Sequence, residues 1–199
     1  MKAMLLCYGL MAASVYASIN PLMIGQPIPD TVLKTVDGKP FRLTDAAKEQ
    51  QLALIYYRGG WCPYCNVHLN QLQAIEPKIR ALGYRIIAVS ADQPSRVQQS
   101  LDKSPLTYTL LSDATMQTAE AFGIAFKVDK PTLQKLNSYD IDLEEASGQK
   151  HHMLPVPAVF LIGTDGIIDF VYANPDYKVR LDPNVLLAAA EASAEQKAD

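Results

Sequence analysis

Leu52-Ala53-Leu54-Ile55-Tyr56-Tyr57, followed by Arg58-Gly59-Gly60-Trp61 and then Cys62-Pro63-Tyr64-Cys65, is the stretch on which the fold turns. An unbroken apolar run of this length reads as a strand buried on both faces. The glycine-bearing tetrapeptide reads as a loop, and a long helix opens at Cys62. Its register shows in Cys65, Leu69, Leu72, Ile79 and Leu82, with Gly83 as the stop. Pro63 suits the first turn, where its missing N–H leaves nothing unpaired. Pro77 inside the pattern predicts a kink or an early end. Strand, loop and helix together set a pair of thiols at a helix N-terminus.

Working outward, Val32 to Val36 reads as a short strand before the Asp37-Gly38 turn, and Leu43 to Gln50 as a brief helix. Tyr84 to Ser90 is a second buried strand, ending in the polar loop Ser90-Ala91-Asp92. Pro94 to Lys103 reads as a helix and Tyr108 to Leu111 as a strand. Thr115 to Phe122 reads as a helix capped by Ser112 or Asp113 and closed by Gly123. Residues 125–153 are polar and poorly periodic, an insertion with one short helix after Pro131. Ala158 to Ile162 and Ile167 to Tyr172 flank Thr164-Asp165-Gly166 as a hairpin, and Asp182-Pro183 starts a last helix. Strands alternating with helices, then a hairpin and a helix, predict an α/β fold with a mixed sheet between helical layers.

The cysteine pair carries the chemistry. At a helix start, unpaired N–H groups and the macrodipole favour a thiolate, so Cys62 is the expected nucleophile. Cys65, three residues on, shares its face and can resolve a mixed disulfide. A bridge closing so short a loop restrains little chain entropy, so its value lies in reactivity. Zinc would need a second ligand pair, and only His68, His151 and His152 are on hand. No metal and no cofactor is expected. His68 reads as a helix-surface residue, and His151 and His152 as a loop pair.

Tyr57 to Cys65, with Trp directly before the first Cys, resembles the thioredoxin active-site loop, and its Pro-Tyr dipeptide is the one glutaredoxins carry. From Ile24 to Tyr172 the chain is more similar to the AhpC/TSA peroxiredoxin-like branch of that superfamily. The likeness rests on Leu111-Ser112-Asp113 with Ala119 to Ile124, and on Phe160-Leu161-Ile162 before Asp165-Gly166. The resemblance implies a thioredoxin-like three-layer α/β/α fold. It also implies a Pro-x-x-x-Thr-x-x-Cys loop and a distant Arg, the groups that orient a peroxide. Laid on this chain, the peroxidatic cysteine falls on Cys65, the Pro on Arg58, the Thr on Cys62 and the Arg on Pro157. Three of those four groups are replaced, which favours thiol–disulfide exchange through Cys62 and Cys65 over peroxide reduction. The resemblance further implies a cis Val156-Pro157 bond facing the disulfide. Trp61 and Tyr64 are expected to shield the pair or dock substrate, Arg58 to support a thiolate if it is not simply solvated, and Gly59-Gly60 to permit an unusual turn.

The chain has 199 residues, 49% of them hydrophobic, and a net charge of −3. That suits one domain over residues 18–199 and gives no electrostatic case for nucleic acid or an anionic membrane. Lys2, the apolar Ala3 to Ala13 and Val15-Tyr16-Ala17 fit a signal peptide over residues 1–17. Export to a periplasmic or other extracytoplasmic space follows, with no membrane association after cleavage; a cytoplasmic chain is the alternative. The expected partners are a substrate protein or small-molecule thiol and a donor reductase. Behind exchange stand a thiol-dependent peroxidase and, third, a copper-handling protein using the thiolates with His151 or His152.

Overall fold

A computed structural model describes residues 19–196. The signal-peptide expectation, and Cys7 with it, falls outside the described residues. The first strands are β1 (Val32–Lys34) and β2 (Pro40–Arg42), followed by α1 (Leu43–Glu49) and the buried strand β3 (Gln51–Tyr57). Next come α2 (Pro63–Ala81), β4 (Tyr84–Ser90), α3 (Pro94–Lys103), β5 (Thr109–Ser112) and α4 (Gln117–Ala121). Then β6 (Ala125–Lys127), α5 (Lys130–Asn137), α6 (Leu143–Ser147) and β7 (Met153–Pro155) fill the stretch read as an insertion. The hairpin strands β8 (Ala158–Ile162) and β9 (Ile168–Ala173) and the helix α7 (Pro183–Gln196) complete the described chain.

The central sheet runs β2-β1-β5-β4-β3-β8-β9, and β6 pairs separately with β7. β3, β4 and β5 are parallel, while β8 runs antiparallel to β3. This mixed sheet separates two apolar cores, giving the α/β/α thioredoxin-like fold. One face packs Leu52, Leu54 and Tyr56 with Phe122 and Phe160, whose ring centroids lie 5.0 Å apart. The other packs Ala53, Ile55 and Tyr57 against Cys65, Leu69 and Leu72 of α2 and Leu186 and Ala190 of α7. Alternate residues of β3 thus serve opposite cores, and the uninterrupted apolar run is what that requires. Tyr57 pairs with Ser90, so β3 and β4 end side by side and their following loops meet.

Two expectations change here. α2 continues through Pro77 to Ala81 instead of ending early; its apolar face, Ile75 and Ile79 included, stays buried across the proline, and packing outweighs the lost hydrogen bond. The insertion holds two helices, α5 and α6, each with an aspartate accepting from backbone N–H groups at its start, Asp129 and Asp142.

Candidate active site

Cys62 is the N-cap of α2, with extended backbone (φ −92°, ψ 113°) and Pro63 as the first helical residue. Its carbonyl accepts from the N–H groups of Cys65 at 3.0 Å and Asn66 at 3.1 Å. The first turn therefore wraps Cys65 back over Cys62. A hydrogen bond from the Cys65 thiol, with further help from its N–H and the charges of Arg58 and Arg180, brings the Cys62 thiol down to about 6 against the opposing effect of burial. Cys65 moves the other way: burial, then the thiolate beside it, pushes its thiol well up. Both are free thiols. They are also almost wholly covered, at 1% exposure for Cys62 and 0% for Cys65.

The cover is aromatic and cationic. Of the two readings of Arg58, thiolate support or simple solvation, solvation does not hold: the side chain is buried. Its guanidinium carbon lies 4.2 Å from the Tyr177 ring centroid and 5.0 Å from that of Trp61. Tyr64 meets Tyr177 edge-on at 5.7 Å between centroids. Arg180 donates from Nη2 to Cys65 Sγ at 3.2 Å, while its Nε and Nη1 are buried with no hydrogen-bond partner among the described residues. The next residue, Leu181, offers its carbonyl to His68 Nε2 at 3.1 Å. His68 is buried, a correction to its reading as a surface residue, and burial first, then Arg180, holds its pKa down to about 4. Neutral His68 must carry its proton on Nε2 to make that bond. α2 thus anchors the segment that brings Arg180 to the sulfurs.

The redox loop is tied from below. The Gly60 N–H donates to Asp92 Oδ2 at 2.7 Å, and Asn66 Nδ2 donates to the Gly60 carbonyl at 2.9 Å. Burial raises Asp92 to about 6, with the hydrogen bonds from Gly60, Trp61 and Ser90 pulling the other way. Neither Gly59 nor Gly60 has a positive φ. Their role is close approach: a Cβ on Gly60 would run into Ser100 Oγ, and one on Gly59 into Trp61 and Asp92.

Val156-Pro157 departs from expectation. No cis peptide bond occurs among the described residues. The Val156 N–H is held by the Ile124 carbonyl at 2.8 Å and the Pro157 carbonyl by the Asn174 N–H at 3.1 Å, so an extended chain runs from β7 into β8. Val156 packs in the core on the sheet face opposite the cysteines. His151 is engaged by the Ala114 carbonyl at 2.8 Å and His152 by Glu144 at 2.8 Å, away from the copper role considered for them. Tyr177, Arg180 and Asp92 went unrecognised in the sequence. The signal for Arg180 was an aromatic and an arginine in the short link between the hairpin and the Asp182-Pro183 helix start.

Comparison with known proteins follows the same lines. The AhpC/TSA family model matches residues 24–171. Peroxiredoxin Bcp of Escherichia coli K12 is 30% identical over 106 residues, covering 53% of this chain and 67% of that protein. The thiol-disulfide oxidoreductase ResA of Geobacillus thermodenitrificans is 25% identical over 124 residues, covering 59% and 70%. Among solved structures, peroxidoxin BcpB of Mycobacterium tuberculosis superposes with a TM-score of 0.67 at 19% identity, covering 85% of this chain and 96% of that one. Reduced Prx3 of Vibrio vulnificus in complex with hydrogen peroxide gives 0.69 at 14% identity, covering 85% and 99%. These two structures share the fold.

Proposed function

The chain belongs to the AhpC/TSA family and is a thiol-based redox enzyme, and we propose that it is a peroxidase that reduces small hydroperoxides through Cys62 and Cys65. The observation that carries this is a sulfur whose thiol sits at about 6 yet is only 1% exposed. At neutral pH it is mostly thiolate, and a hydroperoxide needs far less opening to reach it than a protein disulfide does. The preference drawn from the replaced family residues is thereby reversed. The charge lost at Pro157 is available from Arg180, and Arg58 adds a second positive charge that favours the Cys62 thiolate.

The Cys62 thiolate attacks one peroxide oxygen; the S–O bond forms, the O–O bond breaks, and Cys62 is oxidised to a sulfenic acid. The other oxygen leaves as alkoxide or hydroxide and takes a proton from water. The idle N–H groups of Arg180 are donors for the charge that builds there. The Cys65 thiol then attacks the Cys62 sulfur, water leaves, and a Cys62–Cys65 disulfide remains. A thiol donor reduces that bridge, so disulfide exchange is the second half of the same cycle.

Stopped-flow mixing of reduced protein with hydrogen peroxide tests the reading through Trp61, the single tryptophan. Expected are rapid oxidation, its loss in Cys62→Ser, and a sulfenic acid on Cys62, trapped with dimedone, in Cys65→Ser. Oxidation no faster than that of free cysteine sinks the proposal.

A further inference from the structure

Two guanidinium groups serve the sulfurs, and no carboxylate shares them. Arg58 is 6% exposed, and its Nε is buried with no hydrogen-bond partner among the described residues. Arg180 sets Nη2 on Cys65 Sγ at 3.2 Å and leaves Nε and Nη1 in the same condition. Neither arginine forms an ion pair among the described residues. The contacts that the Arg58 guanidinium does make are with the rings of Trp61 and Tyr177. Asp92, the buried carboxylate under the loop, accepts from the Gly60 N–H instead, and His68 stays neutral with its pKa at about 4. In the reduced protein the anion that both cations favour is the Cys62 thiolate. A Cys62–Cys65 disulfide carries no charge. Oxidation thus leaves two guanidiniums without a counter-ion at a poorly solvated site, which is costly until an anion arrives. The peroxide half of the cycle supplies none that stays, because its leaving hydroxide or alkoxide is protonated and departs.

We propose that Arg58 and Arg180 make the oxidised site selective for a low-molecular-weight thiol that carries a carboxylate, its sulfur meeting Cys62 and its carboxylate taking the idle guanidinium N–H groups. The inference rests on the proposed cycle in one respect, that the Cys62–Cys65 disulfide is the form to be reduced. Arg180 touches one sulfur of the pair, so a carboxylate two carbons from the attacking sulfur is within its reach. The thiolate of the reductant attacks Cys62 Sγ and an S–S bond forms. The Cys62–Cys65 bond breaks, and Cys65 leaves as a thiolate beside Arg180 and takes a proton from water. A second thiolate attacks the small-molecule sulfur of the mixed disulfide, freeing the Cys62 thiolate and releasing a symmetrical small-molecule disulfide. Two thiols thereby give two electrons to the protein.

The test is a charge series of small thiols. The full chain is oxidised with diamide and mixed at pH 8 with 3-mercaptopropionate, neutral 2-mercaptoethanol or cationic cysteamine, with Trp61 fluorescence followed by stopped flow. Each rate is divided by that of the same thiol with hydroxyethyl disulfide, a neutral reference that removes differences in thiolate fraction and nucleophilicity. Expected is a lead of about tenfold for 3-mercaptopropionate over 2-mercaptoethanol, with cysteamine slowest. The lead persists in about 0.5 M sodium chloride, because salt screens buried charges far less than surface ones. Arg180→Met and Arg58→Met each shrink the ratio between the anionic and neutral thiols, whatever they do to the absolute rates. The wild-type chain carries the decisive comparison, so a variant that folds poorly leaves it intact. Because diamide makes the bridge, slow oxidation by hydrogen peroxide would sink the peroxidase reading and leave this ordering untouched. Equal normalised rates for the three thiols, a lead that vanishes in salt, or two sulfurs that diamide does not bridge overturns the proposal.

Discussion

Replacing Cys65 with Ala removes the interaction that contributes most to the low pKa of Cys62, the hydrogen bond from the Cys65 thiol. A hydrogen bond to a charged group contributes about 1.5–3 kcal/mol, and about 1.36 kcal/mol moves a titration midpoint by one pH unit. The Cys62 midpoint should therefore rise from about 6 to between about 7 and 8 in Cys65→Ala. At pH 7 the thiolate fraction falls from about nine-tenths to between about a half and a tenth. Cys65→Ser keeps a donor of similar reach and should stay within about half a pH unit of wild type. The assay is iodoacetamide alkylation from pH 4 to 9.5, with the Cys62 peptide quantified by mass and thiolate absorbance near 240 nm as a second readout. Burial of Cys62 slows the reagent at every pH, but the midpoint survives normalisation to the high-pH plateau. An unchanged midpoint in Cys65→Ala would place the stabilisation in the helix N–H groups and the guanidinium groups instead. A wild-type midpoint near that of a free thiol would refute the nucleophile assignment.

Arg180→Met keeps the length of the side chain and removes the charge and both idle donors; oxidation by hydrogen peroxide should slow by about a hundredfold, while Trp61 fluorescence and far-ultraviolet circular dichroism stay as in wild type. Gly60→Ala drives a Cβ into Ser100 and should cost about 1–3 kcal/mol in urea denaturation, with part recovered in the Gly60→Ala, Ser100→Ala double variant. Asp113 gives a pH signature. Burial raises its carboxyl to about 7, opposed by the Ala119 and Thr118 N–H groups, so between the unfolded value and about 7 the folded chain holds the extra proton and stability falls as pH rises. From pH 5 to 8 this group removes about 2–3 kcal/mol, and Asp113→Asn should flatten that slope; equal slopes in the two proteins would contradict it.

Much of the scaffold was legible because periodicity reports burial. The run Leu52 to Tyr57 named a central strand, and Cys65, Leu69 and Leu72 named the inward face of α2, as the two cores bear out. Less of the site was legible, because its charges come from distant segments. Arg180 lies 115 residues from the sulfur it touches. It reaches that sulfur through tertiary packing, with Leu181 bound by His68, and no local pattern encodes that link. His68 looked like a surface residue because a histidine interrupts the apolar register; its burial is made tolerable by a carbonyl 113 residues away. Gly59 and Gly60 were visible as glycines, but turn chemistry and close approach leave the same mark in sequence. Only Ser100, Trp61 and Asp92 decide between them.

The replaced peroxidase residues look different once charge is counted by place. Peroxide reduction needs a thiolate, a fixed cation for the departing oxygen, and a partner to take up the sulfenic acid. Residue-by-residue carry-over looks for each at a family position and finds Arg58, Cys62 and Pro157 where proline, threonine and arginine belong. Geometry finds the cation on another segment, since the Arg180 guanidinium reaches Cys65 Sγ at 3.2 Å. The substitution of a cysteine for the threonine is then a gain as well as a loss. It moves the nucleophile to the N-cap, where N–H groups and two guanidiniums support a thiolate, and leaves Cys65 protonated behind it. A protonated, buried second thiol is a poor nucleophile and a good hydrogen-bond donor until Cys62 is oxidised. Loss of the Cys62 negative charge then removes one cause of the raised Cys65 value, so oxidation of the first sulfur itself readies the second to attack.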